Sequence, residues 1–288
     1  MFAEIFAIIY QFADVFAFLV LAAAGLAIIF GMMGIINLAH GEFIMCGAYV
    51  TVIGVQNGLP LPIAQALGVL TAGIIGVILE RTVVHHLYNR PLDSILGTWG
   101  ISLIVTQGML VTMGSNWPGI GTPEGTFQVG EYTYSTYRLV LFAAAILVMI
   151  ALYLLFMRTR YGVRARATMQ NPQVARALGV RTPRIYASSF GIGAAIAGLC
   201  GALYAPTMSL VPVMGITFIV EAFVTVVVGG SNVLIGTVPA AMVLGFIRTS
   251  LNACQGQVIG QIGMLIAVIL VIRILPEGMS GWLLRRKS

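Results

Sequence analysis

Charge is scarce in this sequence. Asp, Glu, Lys and Arg make up 8% of the 288 residues, against 59% hydrophobic ones, whereas a soluble domain carries about 25% charged residues. With a mean hydropathy of +1.00, the polar surface that water requires is missing, and the solvent for most of the chain is lipid. Cysteine is equally sparse. Cys46, Cys200 and Cys254 sit in or beside apolar runs without CxxC spacing, which fits packed small residues better than metal or redox chemistry. The amino terminus carries Glu4 and Asp14 and no basic n-region, so the first apolar run is expected to stay in the mature protein. The GxxxxGK[ST] pattern of a P-loop is absent, and with it that form of nucleotide site.

What is present is a series of apolar runs, each near the roughly 20 residues needed to cross a bilayer. They fall at Phe12–Met33, Leu38–Val55, Leu61–Leu79, Ile95–Met113, Leu139–Met157, Tyr186–Ala205 and Val258–Leu275. A longer tract, Phe218–Leu251, is broken at Gly229-Gly230-Ser231-Asn232. Counted as two spans it predicts nine crossings; as a re-entrant tract it predicts fewer. The expected fold class is an all-α polytopic transmembrane helix bundle of about 8–10 spans, some short or broken, forming one membrane domain over residues 1–288. Small residues recur four apart in Gly68, Ala72, Gly76 and in Gly193, Ala197, Gly201, a spacing that lets helix backbones approach closely in lipid.

The formal net charge of +6 does not mark a nucleic-acid binder, because the basic residues are not spread along a soluble face. Thirteen of the fifteen fall in three short polar stretches: Arg81 and Arg90, the seven arginines of Arg158–Arg184, and Arg273, Arg285, Arg286 and Lys287. That is the pattern of cytoplasmic loops under the positive-inside rule. It predicts an external amino terminus, an external Ser115–Tyr137 loop whose aromatics suit the headgroup belt, and a cytoplasmic carboxyl terminus. His85 and His86 fall in the first of these gaps and read as solvated or headgroup-facing.

The stretch MRTRYGVRARATMQNPQVARALGVRTPRIY, Met157 to Tyr186, joins two spans with far more residues than a turn needs and contains no acid. Pro172 suits a first helical turn, Asn171 a cap before it and Gly179 a stop after it. Within that short helix Val174, Ala177 and Leu178 share a face at i, i+3, i+4, while Gln173 and Arg176 point elsewhere. The helix reads either as a topology element meeting anionic lipid or as a docking helix for a partner.

This segment resembles the coupling loop, here about residues 158–184, of the permease family serving branched-chain amino acid importers and their urea and short-chain amide relatives. Three further stretches resemble the same family, in order: GIINLAHGEFIMCGAYV (Gly34–Val50), ER…RPLDSILGTWGISL (Glu80–Leu103) and EAFVTVVVGGSNVLIGT (Glu221–Thr237). The resemblance implies an ABC importer permease fold in the bacterial inner membrane and a non-enzymatic role. It implies as partners a second permease subunit, identical or not, two cytoplasmic ATPase subunits and a periplasmic solute-binding protein, besides membrane lipid, with no nucleic acid. No cofactor is expected on this chain, ATP and magnesium being held by the ATPases. Asn171, Pro172, Val174, Arg176, Ala177, Leu178 and Gly179 are the residues expected to couple to them. The substrate stays open between branched-chain amino acids and urea or short-chain amides.

Two stretches interrupted by glycine and polar residues, Gly31–Gly47 and Met214–Pro239, each carry a glutamate in an apolar setting, Glu42 and Glu221. Transporters often build their path from broken helices in repeated halves. Asn37, His40 and Glu42 read in two ways: as cap and first-turn acid of the helix near Leu38, or as lining of a polar path. His40 has no partner ligands at metal-site spacing. Thr98, Trp99, Ser102, Gln107, Glu221 and Thr225 are further path candidates, each also readable as an interhelical or interfacial contact. An ion-coupled secondary carrier using Glu42, His40 or Glu221 as proton relay is the rival class; a channel would need a filter motif, and none is evident.

Overall fold

The computed structural model describes residues 2–88, 90–123, 125–230, 233–276 and 278–285. The helices are α1 (Phe2–Met33), α2 (His40–Gln56), α3 (Leu61–Thr82), α4 (Pro91–Met113), α5 (Thr136–Arg158), α6 (Arg160–Gln170), α7 (Pro172–Ala177), α8 (Thr182–Tyr204), α9 (Met214–Gly229), α10 (Val233–Gln255), α11 (Gln257–Ile274) and α12 (Gly278–Arg285). A hairpin of β1 (Thr126–Val129) and β2 (Tyr132–Ser135) precedes α5. The expected all-α polytopic bundle is therefore what the chain forms. Among the described residues six helices are long and apolar enough to cross a membrane, while α9, largely apolar, has only 16 residues. At about 1.5 Å per residue, the 22 residues of α3 cover the roughly 30 Å hydrocarbon core.

Helix ends fall near the apolar boundaries read from sequence, with one large exception. The first helix starts at Phe2, ten residues before the expected Phe12. Glu4, Tyr10, Gln11 and Asp14 interrupt the apolar run there, but Tyr10 donates to the Ser135 carbonyl at 2.6 Å and Asp14 Oδ2 accepts from Arg138 at 3.0 Å. Polar groups paired in this way no longer oppose a helix in lipid. The broken tract divides where the glycines stand, α9 ending at Gly229 and Gly230 taking φ +81°. Ser231 and Asn232 of that interruption, like Arg286 and Lys287 of the basic tail, lie outside the described residues.

By packing the chain forms two compact units: Met1–Ala23, Thr122–Met149 and Glu221–Ser288; and Ala24–Gly121 with Ile150–Val220. The second unit is built on α2, α3 and α8, each packed on the other two. Its contacts use the small residues singled out above. A Cβ at Gly198 would overlap Ala72, and one at Gly76 would overlap Ala194; one at Gly201 would overlap the Ile44 carbonyl oxygen, and one at Gly47 that of Gly198. The α3 row thus packs on one side of α8 and α2 on another, with helix backbones in direct contact. Outward, α3 presents Leu70, Ile74 and Ile78, each more than half exposed. That inversion of a soluble protein's surface is what lipid solvation requires.

The Ser115–Tyr137 segment holds structure that the apolar runs did not announce. Thr126–Val129 pairs antiparallel with Tyr132–Ser135 through a Gly130-Glu131 turn in which Gly130 has φ +65°, the conformation a two-residue hairpin needs at that position. Tyr134, 8% exposed, packs edge-on against Phe6 and Tyr10 of α1 in the first unit. In the second unit, Trp117 exchanges backbone hydrogen bonds with Leu210, donates from its indole to Gln56 and covers a cluster of Met45, Tyr49, Val52 and Leu210. Trp117 and Tyr134 thus make protein contacts, while Tyr132 of the same segment is 50% exposed.

Candidate functional site

Helix α4 buries four residues, and all are hydroxyls: Ser94, Thr98, Ser102 and Thr106. Their spacing of four aligns them on one face, and the apolar residues between them, Leu96, Leu103 and Ile104 among them, face outward. Ser94 and Thr98 bond back to carbonyls one turn earlier, and Thr98 Oγ1 also accepts from Leu38 N at 3.1 Å. Ser102 and Thr106 instead reach across to α2 and donate to a single carboxylate oxygen, Glu42 Oε1, at 2.8 and 3.1 Å. Glu42 is 5% exposed, and its other oxygen, Oε2, has no hydrogen-bond partner among the described residues. Its surroundings are close: a Cβ on Gly215, at the start of α9, would stand 2.8 Å from Glu42 Oε1.

Asn37 and His40 are fully buried at the start of the same helix. Asn37 Oδ1 accepts from Ala39 N at 3.1 Å, forming a turn that leads into α2, which starts at His40 rather than Leu38. His40 stands with Phe43, ring centroids 6.4 Å apart. The structure therefore joins Glu42 to Ser102, and Thr98 to the backbone at Leu38, while Asn37 bonds its own turn and the His40 ring lies against Gly25 of α1. It separates two other candidates from them: Trp99 is 52% exposed, turned off the hydroxyl face of α4, and Gln107 is exposed as well. Ser94 and Thr106 were passed over in sequence, although the i, i+4 recurrence of hydroxyls was there to read.

Glu221 and Thr225 lie in the first compact unit. Thr225 bonds back to the Glu221 carbonyl at 2.8 Å. The Glu221 carboxylate accepts from Arg248 of α10 at 2.7 Å, with side chains 6% and 16% exposed. Arg248 and Arg138 are the two basic residues outside the loop clusters, and each neutralises an acid within an apolar helix. Charge complementarity was the available signal: an isolated arginine in an apolar run calls for a carboxylate.

The basic loop folds into two helices rather than one. Thr159 caps α6, its Oγ1 accepting from Gly162 N at 3.0 Å. Asn171 caps α7, accepting from both Gln173 N and Val174 N at 3.1 and 3.0 Å. At the other end Val180 N bonds the Ala175 carbonyl and Gly179 N that of Arg176, with Gly179 at φ +84°. This is the paired closure of a glycine-terminated helix. Ala175 is turned inward, while Val174 and Leu178 are 52% and 78% exposed and Ala177 is exposed beside them. The face expected from spacing is thus presented outward on a helix fixed at both ends. Behind it, Tyr88 donates to the buried Glu80 carboxylate and stacks edge-on with Tyr186. Burial, with the carboxylate beside it, pushes the Tyr88 phenol far above its usual range, so it remains a donor.

Apolar helices with lipid-solvated outer faces, buried polar groups and a doubly capped, outward-facing loop helix define a polytopic membrane protein. The chain matches the family described as the branched-chain amino acid transport system permease component over residues 8–275, and it belongs to that family. It is 28% identical to the high-affinity branched-chain amino acid transport permease LivH of Escherichia coli K12, over 91% of this chain and 90% of that one. It is likewise 28% identical to BraD of Pseudomonas aeruginosa, over 91% of each. A shorter likeness, 27% identity over 73% of this chain, is to the autoinducer 2 import permease LsrC of Salmonella paratyphi B. No solved structure matches.

Proposed function

We propose that this chain is the membrane-spanning permease subunit of an importer for branched-chain amino acids, energised by separate ATPase subunits and fed by a periplasmic binding protein. The observation that carries the reading is α7. A six-residue helix is too short to hold itself in water, yet this one is capped at both ends and leaves Val174, Ala177 and Leu178 exposed among the described residues. Such a peg fits a groove on an ATPase subunit, with apolar contact worth about 25 cal/mol per Å² and the neighbouring arginines setting orientation. Closure of the ATPase pair on ATP would then move α6 and α8, which flank the peg in sequence, and switch the opening of the path. No bond is broken on this chain. The substrate path draws on Glu42 and its hydroxyl partners, whose Oε2 is an acceptor for a donor group passing through.

The relatives' names favour branched-chain amino acids over urea or short-chain amides. Binding of leucine, isoleucine and valine, against urea and acetamide, to the cognate periplasmic protein decides the substrate. The coupling claim is tested by Ala177→Asp/Leu178→Asp, reconstituted with the partner subunits. Buried, unpaired carboxylates oppose an apolar interface, so complex recovery or the link between ATP hydrolysis and uptake should be lost. Normal recovery, ATPase activity and uptake would show that α7 is only a topology element.

A further inference from the structure

Beside the coupling helix, at the end of α3 and the start of α8, lies a cavity of about 530 Å3. Arg81 stands in its wall from the last turn of α3, Arg184 from the first turn of α8 and Arg176 from α7; Tyr88 and Tyr186 line it between them. Its one acid is Glu80, 3% exposed and engaged by the Tyr88 hydroxyl. None of the three arginines is in an ion pair among the described residues; Arg176 donates to Thr182 Oγ1 at 3.3 Å. Three arginines thus line a hollow whose one acid is already bonded. A guanidinium fork matches the geometry of a phosphate diester.

The approach to the cavity identifies the source of that phosphate. Leu67, Leu70, Ile74 and Ile78 of α3 are 41%, 60%, 59% and 55% exposed and follow one another at helical spacing, with Arg81 next on the same face. A lipid-facing apolar stripe therefore runs along the helix and ends at the basic hollow. A ligand that fills both has acyl chains and an anionic head. We propose that this cavity is a binding site for the phosphate headgroup of an anionic membrane phospholipid, its chains lying on the α3 stripe. Basic pockets at the ends of spanning helices are suited to such headgroups, and this one touches the base of α7, so its occupant also braces the coupling helix.

The test uses the purified full-length chain in detergent, with native mass spectrometry of bound dioleoylphosphatidylglycerol and dioleoylphosphatidylcholine. Wild type should retain the glycerol lipid in preference to the choline lipid. Arg81→Gln/Arg184→Gln should weaken retention of the glycerol lipid about tenfold while leaving the choline lipid unchanged. Arg81→Lys/Arg184→Lys, which keeps the charge, should lose less and guards against a misfolded glutamine variant. Arg158→Gln/Arg160→Gln, outside the cavity, should lose nothing. Equal retention of both lipids by wild type, or equal loss in the outside variant, would overturn the site. So would saturation of the same arginines by inorganic phosphate alone at the lipid's concentration, since it would mark a soluble anion as the ligand.

Discussion

Arg248 reaches from α10 to place its Nη1 2.7 Å from Glu221 Oε2 on α9, and both side chains are more than four-fifths buried. An ion pair in this setting is costly to break from one side, because the survivor is left charged and unpaired. Arg248→Met is therefore expected to destabilise the chain by about 3–5 kcal/mol, read as a lowered melting temperature in detergent. Adding Glu221→Gln should recover much of the loss. A double variant no better than the single one would mean that the pair is not what holds these residues.

Glu42 should tolerate amidation better than truncation. Glutamine offers an acceptor oxygen to Ser102 and Thr106, whereas alanine leaves a void and two hydroxyls without their partner. Uptake by reconstituted vesicles is expected to fall further in Glu42→Ala than in Glu42→Gln at equal complex yield. The reverse order would overturn both the structural and the path-lining readings of Glu42, whereas equal abolition of uptake in the two variants would favour proton coupling through the carboxylate.

Glycines of the bundle divide into two kinds. A Cβ at Gly201 meets the Ile44 carbonyl, whereas one at Gly100 meets nothing within 4 Å. Gly201→Val should cost at least about 1–3 kcal/mol through overpacking. Gly100→Ala should be neutral or stabilising by up to about 1 kcal/mol, since alanine suits a helix interior better. Thermal melting of the two variants side by side checks both.

Asn171 satisfies two amide donors of α7 at once, so Asn171→Ala should loosen that helix by about 1 kcal/mol. Hydrogen exchange of the Gln173 and Val174 amides should accelerate several-fold, with the α8 amides unchanged. Unaltered exchange would show that contacts with α6, not the cap, fix the helix.

Orientation follows from the basic loops. In intact cells, and with Cys254→Ser removing the exposed native thiol, cysteines introduced between Arg158 and Arg184 should resist an impermeant thiol reagent. Labelling from the periplasm would invert the topology.

The apolar tracts, the break at Gly229-Gly230 and the cap of α7 were legible because each rests on local chemistry: run length, glycine conformation, and a side chain bonding its own backbone. What was not legible depends on partners distant in the chain. Asp14 reads as an interruption until Arg138 is found 124 residues later, whereas α6 had local signals in the Thr159 cap and in arginine's own helix propensity, which the basic character of the stretch masked. The same reasoning explains Trp99 and Gln107. Residue type marked them as polar or aromatic in a span, but only helical phase against Ser94, Thr98, Ser102 and Thr106 says which way they face.

The distance along the chain between Asp14 and Arg138 also sets a timetable for biosynthesis. At about 5–20 residues per second, the ribosome needs roughly 6–25 s to add the arginine after it has added the aspartate. Through that interval several hydrophobic segments reach the translocon while Asp14 is without this counterion, and hydrocarbon disfavours a carboxylate held that way. The first helix is thus expected to settle late, waiting near the insertion machinery until the fifth arrives. Crosslinking of residue 14 to the translocon should persist in nascent chains stalled before residue 138 and decline in longer ones.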